Sequence, residues 1–85
     1  MHESRLVADL MAAADRHLAD PSRITGLTFQ IGALSVVTPD ALRHGVTESA
    51  RARWGSEPDI TIHQSPDPSA TNALGVMLVS LRVED

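Results

Sequence analysis

Two short stretches of alternating polarity, separated by a segment that opens on Thr38-Pro39-Asp40, set the strongest limit on what this chain can fold into. From Ile24 to Ile31, Leu27, Phe29 and Ile31 fall on one side and Thr28 and Gln30 on the other, the period of a strand. From Asp59 to Gln64 the alternation returns, with Ile60 and Ile62 inward. Between them Gly32-Ala33-Leu34-Ser35 breaks the first strand and a helix begins. Thr38 is its N-cap, Pro39 takes the first helical position and Asp40 sits in the first turn, where negative charge is favoured. Leu42, Val46, Ala50 and Trp54 then face inward at helical spacing. Gly45 lies inside this helix and costs it about 1 kcal/mol relative to alanine, which implies close packing against a second helix. Gly55 stands where a C-cap glycine belongs. A strand-helix-strand unit calls for two parallel strands joined by a right-handed crossover.

The flanking segments complete the plan. From Ser4 to about Ala19, Leu6, Val7, Leu10, Met11, Ala14 and Leu18 form one apolar stripe, which predicts a first helix. Asp20-Pro21-Ser22 stops it. After the second strand, Ser65-Pro66-Asp67-Pro68-Ser69 is a strong breaker cluster. A last strand runs from about Leu74 to Val83 and is apolar on both faces, which predicts a central position between the other two strands, antiparallel to both. The expected architecture is a single α+β domain over residues 1–85. It has a small three-stranded mixed sheet, two α-helices on one face, element order α-β-α-β-β, and residues 65–73 as a loop.

Composition excludes several functions. Eighty-five residues suffice for one modest core. With Phe29 and Trp54 the only aromatic residues, aliphatic side chains must fill it. The net charge of −4 leaves no basic stripe for phosphates, so nucleic acid is not an expected partner. The absence of cysteine rules out disulfides, thiolate metal sites and a cysteine nucleophile. No apolar run approaches the ~20 residues needed to span a bilayer, and a soluble cytoplasmic protein is expected. His17, His44 and His63 are read as surface side chains. Neither His44 nor His63 falls in a motif with a partnered serine or aspartate, so no enzyme is expected.

The chemistry is concentrated at the start of the chain, Met1-His2-Glu3. The α-amine of Met1, the backbone nitrogen of His2 and the His2 imidazole can close fused chelate rings on one metal ion. If the amides of His2 and Glu3 deprotonate, the amine, both amides and the imidazole form a plane of nitrogens. Such a field suits nickel(II) or copper(II) better than tetrahedral zinc. The Glu3 carboxylate can add an oxygen ligand or a supporting hydrogen bond. A residue as large as His2 should leave Met1 in place with its amine free.

Met1-His2-Glu3-Ser4, the amphipathic first helix, LTFQIGALSVVTPDAL at 27–42 and VSLRVED at 79–85 together resemble the HypA-type nickel metallochaperones. The Ile-Gly-x-x-Ser turn before a proline-headed helix is the more specific part of that pattern, and the resemblance covers nearly the whole chain. It implies an α+β nickel-binding domain that serves [NiFe]-hydrogenase, or urease, maturation. The implied partners are the hydrogenase large subunit and a maturation GTPase. It maps nickel(II) onto Met1, His2 and Glu3, with Asp40 as an auxiliary ligand. Members of that family carry a zinc domain with two Cys-x-x-Cys pairs between their last two strands. This chain has no cysteine, so the loop 65–73 is expected to replace that domain and no zinc is expected. The alternative is a metal-free HypA-like protein-interaction module, docking or self-associating through the surface that the missing domain leaves.

Overall fold

The computed structural model describes residues 2–17, 20, 23–69 and 73–84, with the side chains of residues 2–4 outside that description. Five elements follow one another: α1 (His2–His17), β1 (Ile24–Ile31), α2 (Pro39–Trp54), β2 (Asp59–Gln64) and β3 (Val76–Val83). The sheet has the order β2-β1-β3, with β1 parallel to β2 and antiparallel to β3. Both helices cover one face of it, as the sequence implies. The first helix begins at His2 and closes at His17, two residues earlier at each end than the apolar stripe suggested. Leu18, the last residue of that stripe, lies outside the described residues.

The core forms where the helical stripes meet the inward side of β1. Val7, Leu10, Met11 and Ala14 of α1, Leu42, Val46 and Ala50 of α2, and Ile24, Leu27, Phe29 and Ile31 of β1 make one buried cluster. Ile60 and Ile62 of β2 and Val76, Leu78 and Leu81 of β3 pack against it from the two sides. The α2 signals all operate as read. The Thr38 side chain accepts from the Ala41 N–H at 3.2 Å, Pro39 opens the helix, and Gly55 closes it at φ 69° with its N–H donated to the Arg51 carbonyl. The left-handed φ of Gly55 is one that a residue bearing a Cβ adopts only with strain.

The expected central place of the last strand is not observed: β3 is an edge strand and β1 holds the centre. The reason lies in the register. Thr28 pairs with Ser80 and Phe29 with Leu78, so Val79 is an extra residue, a β-bulge. The bulge reverses the phase of alternation, and Val76, Leu78 and Leu81 all reach the core from one strand. A run that looks apolar on both faces is therefore one covered face read through a bulge. Met77 and Val79 are left outward, about half exposed. A second shift, between Ile24 and Gly26 of β1, explains why Ile24 is buried although it is out of phase with Leu27.

Candidate metal-binding end of the domain

The two helices run parallel. Val7 of α1 lies against Gly45 of α2, and eight residues further along both helices Asp15 pairs with Arg53. The Trp54 indole N–H also donates to Asp15 Oδ1 at 2.8 Å. Gly45 makes the first contact possible: a Cβ there would stand 2.9 Å from Val7 Cγ2. The same register, followed back toward the start of the chain, sets the backbone of His2 level with Asp40, at the first turn of α2. Both helix N-termini therefore lie at one end of the domain, where β1 and β2 finish and β3 starts.

Loops gather at this end. Gly32-Ala33-Leu34-Ser35 is a turn closed by the Ser35 N–H donating to the Gly32 carbonyl at 3.1 Å, and the Ser35 hydroxyl accepts from the Val37 N–H at 3.2 Å. These bonds give the Ile-Gly-x-x-Ser pattern a physical content: the serine holds the chain in the turn that leads to the α2 cap. The Leu34 N–H donates to the Ala73 carbonyl and the Gly32 N–H to the Gly75 carbonyl, both at 2.8 Å, which ties this turn to the entry of β3. The Ser65 N–H donates to the Ile31 carbonyl at 2.9 Å, so the exit of β2 is held as well. Residues 65–69 and 73–75 form no helix or strand, and residues 70–72 lie outside the described residues. Within this loop Asp67 accepts from both the N–H and the hydroxyl of Ser69, at 2.9 and 2.7 Å. The Ser69 hydrogen bonds hold the Asp67 carboxyl below the ordinary aspartate range.

The residues singled out from the sequence divide as follows. Met1 lies outside the described residues, as do the side chains of His2 and Glu3, although the backbone of both belongs to α1. Asp40 is exposed in the first turn of α2. Among the described residues no three His, Asp or Glu side chains come together as a metal-binding group. His63 is exposed and pairs in register with Gln30, in phase opposite to Ile60 and Ile62, on the face of the sheet away from the helices. His44 is exposed, as its sequence context implies. It also lines a groove of about 450 Å³ between α1 and α2, with Glu48 one turn further on. The Asp40-x-x-x-His44-x-x-x-Glu48 spacing was the available signal, since residues four apart share a helix face. Three apolar side chains are exposed at the same end: Val36 at 94%, Leu74 at 78% and Leu34 at 53%.

With the geometry in view, one solved structure is informative. The solution structure of the Ni metallochaperone HypA from Helicobacter pylori matches with a TM-score of 0.76, over 95% of this chain and 96% of that chain, at 13% identity. The two proteins share a fold. No protein-family model matches the chain, and no curated protein matches it in sequence. Among the described residues no helix is long and apolar enough to cross a membrane.

Proposed function

We propose that this chain is a nickel-binding accessory protein of the metallochaperone type, taking nickel(II) at its N-terminus. The Met1 amine, the His2 amide and imidazole, the Glu3 amide and the Glu3 carboxylate supply the donors, with Asp40 as an auxiliary oxygen. One observation carries the reading: the parallel helices bring the backbone of His2 level with the first turn of α2, at the end of the domain where the loops gather. The shared fold with a nickel metallochaperone supports it.

The start of α1 at His2 favours that chemistry in one respect and opposes it in another. The first four N–H groups of a helix have no carbonyl partner within it, so the amides of His2 and Glu3 can lose their protons without breaking the helical ladder. A cation at a helix N-terminus also meets the positive end of the macrodipole. Deprotonated amides and the carboxylates of Glu3 and Asp40 offset that repulsion. Ligands at a chain terminus are easily exchanged, which suits a carrier that must release its metal. By the sequence resemblance to the HypA-type family, the acceptor is a hydrogenase large subunit, with a maturation GTPase assisting, in the cytoplasm. No enzymatic step is assigned to the chain. The loop 65–73 stands in place of a zinc domain, and folding requires no zinc.

A second reading is favoured by Leu34, Val36 and Leu74, apolar side chains exposed in the loops at this end of the domain. In that reading the protein docks on a maturation partner through these side chains and carries no metal. Titration of untagged protein with nickel, alongside a His2→Ala variant, separates the two. One nickel ion per native chain, and loss of binding in the variant with an unchanged circular dichroism spectrum, is the expected result. Equal binding by both would put the metal elsewhere. Absence of binding in both would leave the docking module. Because an α-amine ordinarily titrates near ~8 and an imidazole near ~6.5, and metal must displace those protons, affinity should fall as the pH drops through that range.

A further inference from the structure

The helices cover one face of the sheet and leave the other open, and the strand register sets the open face out in rows. Asp59, Gly26 and Arg82 form the first, Thr61, Thr28 and Ser80 the second, and His63, Gln30 and Met77 the third. Val79, extra at the bulge, adds an apolar side chain beside Met77. With His63 neutral, the charges on this face sum to zero, in a chain of net charge −4. They are the Asp59 carboxylate and the Arg82 guanidinium, paired at 3.1 Å across the central strand. Gly26 keeps this row low. The guanidinium lies over it, with Nη2 2.9 Å from where a Cβ would stand, so the arginine crosses the strand instead of projecting from it. A shallow hollow of about 220 Å³ remains between this row and the hydroxyls of Thr28, Thr61 and Ser80.

Both strand edges resist pairing, since Arg43 occupies the Ile60 carbonyl on β2 and the bulge interrupts β3. A second chain therefore meets the face. A two-fold contact sets one surface against itself, so every group must suit its own copy. Hydroxyls and a carboxamide do, because each both donates and accepts. A lone charge would repel its copy, but opposite charges on either side of the axis attract. An axis along β1 lays β2 of one chain over β3 of the other. Asp59 then faces the partner's Arg82, and Arg82 the partner's Asp59. The second row meets itself reversed, hydroxyl to hydroxyl. His63 meets the partner's Met77, a favourable contact of sulfur with a ring.

We propose that the open sheet face is the contact between two copies of this chain, related by a two-fold axis along β1. The sheets stack about 10 Å apart and within about 30° of alignment, with the helices outermost. The middle of the contact is uncharged and the ions lie at one rim, the anatomy of a specific interface. A face of three short strands is small beside the ~800 Å² per partner of a standard interface, so the dimer is weak and dissociates on dilution. The proposal is independent of the N-terminal nickel reading.

Sedimentation velocity of the untagged full chain, in the presence of a chelator, reads the association over a range of concentrations. Native protein should pass from monomer to dimer by millimolar concentration. Asp59→Arg and Arg82→Asp should each keep the native circular dichroism spectrum and weaken association at least about tenfold, because each sets like charges face to face. An equimolar mixture of the two variants has opposite charges at both contacts again and should dimerise as the native protein does. The pair within each chain stays broken in that mixture, so recovery reads contact between chains alone. Thr28→Glu, which sets a carboxylate against its own copy on the axis, should also give a monomer. Val36→Glu, at the apolar loop end, should change nothing. A native protein that stays monomeric throughout, charge variants that associate like it, or a mixture that does not recover would each overturn the proposal. Loss of the dimer in Val36→Glu, with retention in the charge variants, would overturn it too and put the contact at the loops.

Discussion

Gly45 and Gly26 would respond to the same substitution in different ways. A Cβ at Gly45 meets Val7 Cγ2 at 2.9 Å, and Val7 is buried and stiff about χ1. Gly45→Ala gains up to about 1 kcal/mol in helix propensity, but overpacking a filled contact costs about 1–3 kcal/mol, and the clash should win. Denaturant unfolding should show a net loss near 1 kcal/mol, and Val7→Ala in the same molecule should recover part of it. At Gly26 the nearest atoms belong to the Arg82 guanidinium, 2.9 Å from an added Cβ. That group is the free end of a flexible, exposed side chain, paired with Asp59 at 3.1 Å. Surface ion pairs contribute ~0–1 kcal/mol, so Gly26→Ala should leave the unfolding midpoint nearly unchanged. The sequence pointed to Gly45 as a place of close packing because glycine is costly in a helix. For His44 it held only the four-residue spacing from Asp40 and Glu48, and the groove that His44 lines exists only once α1 and α2 lie side by side.

The elements were legible where each carried its own punctuation. Thr38, Pro39 and Gly55 bracket α2 and lie in the roles their residue types favour. Thr38→Ala removes the side-chain acceptor of the Ala41 N–H and should cost about 1 kcal/mol, measured as a lower midpoint in urea with an unchanged slope. The bounds of β1 and β2 also followed from alternation, because neither strand's own inward residues change phase over Leu27–Ile31 or Ile60–Ile62. Strand β3 was misplaced because a bulge leaves no mark in residue types. Valine at position 79 looks like any core residue, and only the pairing of Ser80 with Thr28 and Leu78 with Phe29 shows it to be extra. As an edge strand, β3 is interrupted by its bulge, and on the other edge the Arg43 side chain donates to the Ile60 carbonyl at 2.6 Å. Both features are ones that blunt strand edges against pairing with other chains.

At the scale of the whole molecule, the helix pair, the loop end and the N-terminus form one arrangement. Its far end is closed by Asp15, whose carboxylate is held below the ordinary range first by the Arg53 hydrogen bond and also by Trp54. A carboxyl with a depressed folded pKa contributes stability above its unfolded value of ~3.9, lost as pH falls through the folded value. Unfolding midpoints measured from pH 6 to pH 3 should therefore decline, and Asp15→Asn should flatten part of that decline. Metal should matter differently. The chain has no cysteine to ligate a structural zinc, and the thermal midpoint of nickel-free protein is expected not to move with a strong chelator. The most direct test of the central claim adds one residue ahead of Met1, which turns the α-amine into an amide and moves His2 out of register. Nickel calorimetry on this extended chain and on the native-start chain decides the matter. One ion per native chain and no binding in the extended one are expected; equal binding by the two would contradict a site at the N-terminus.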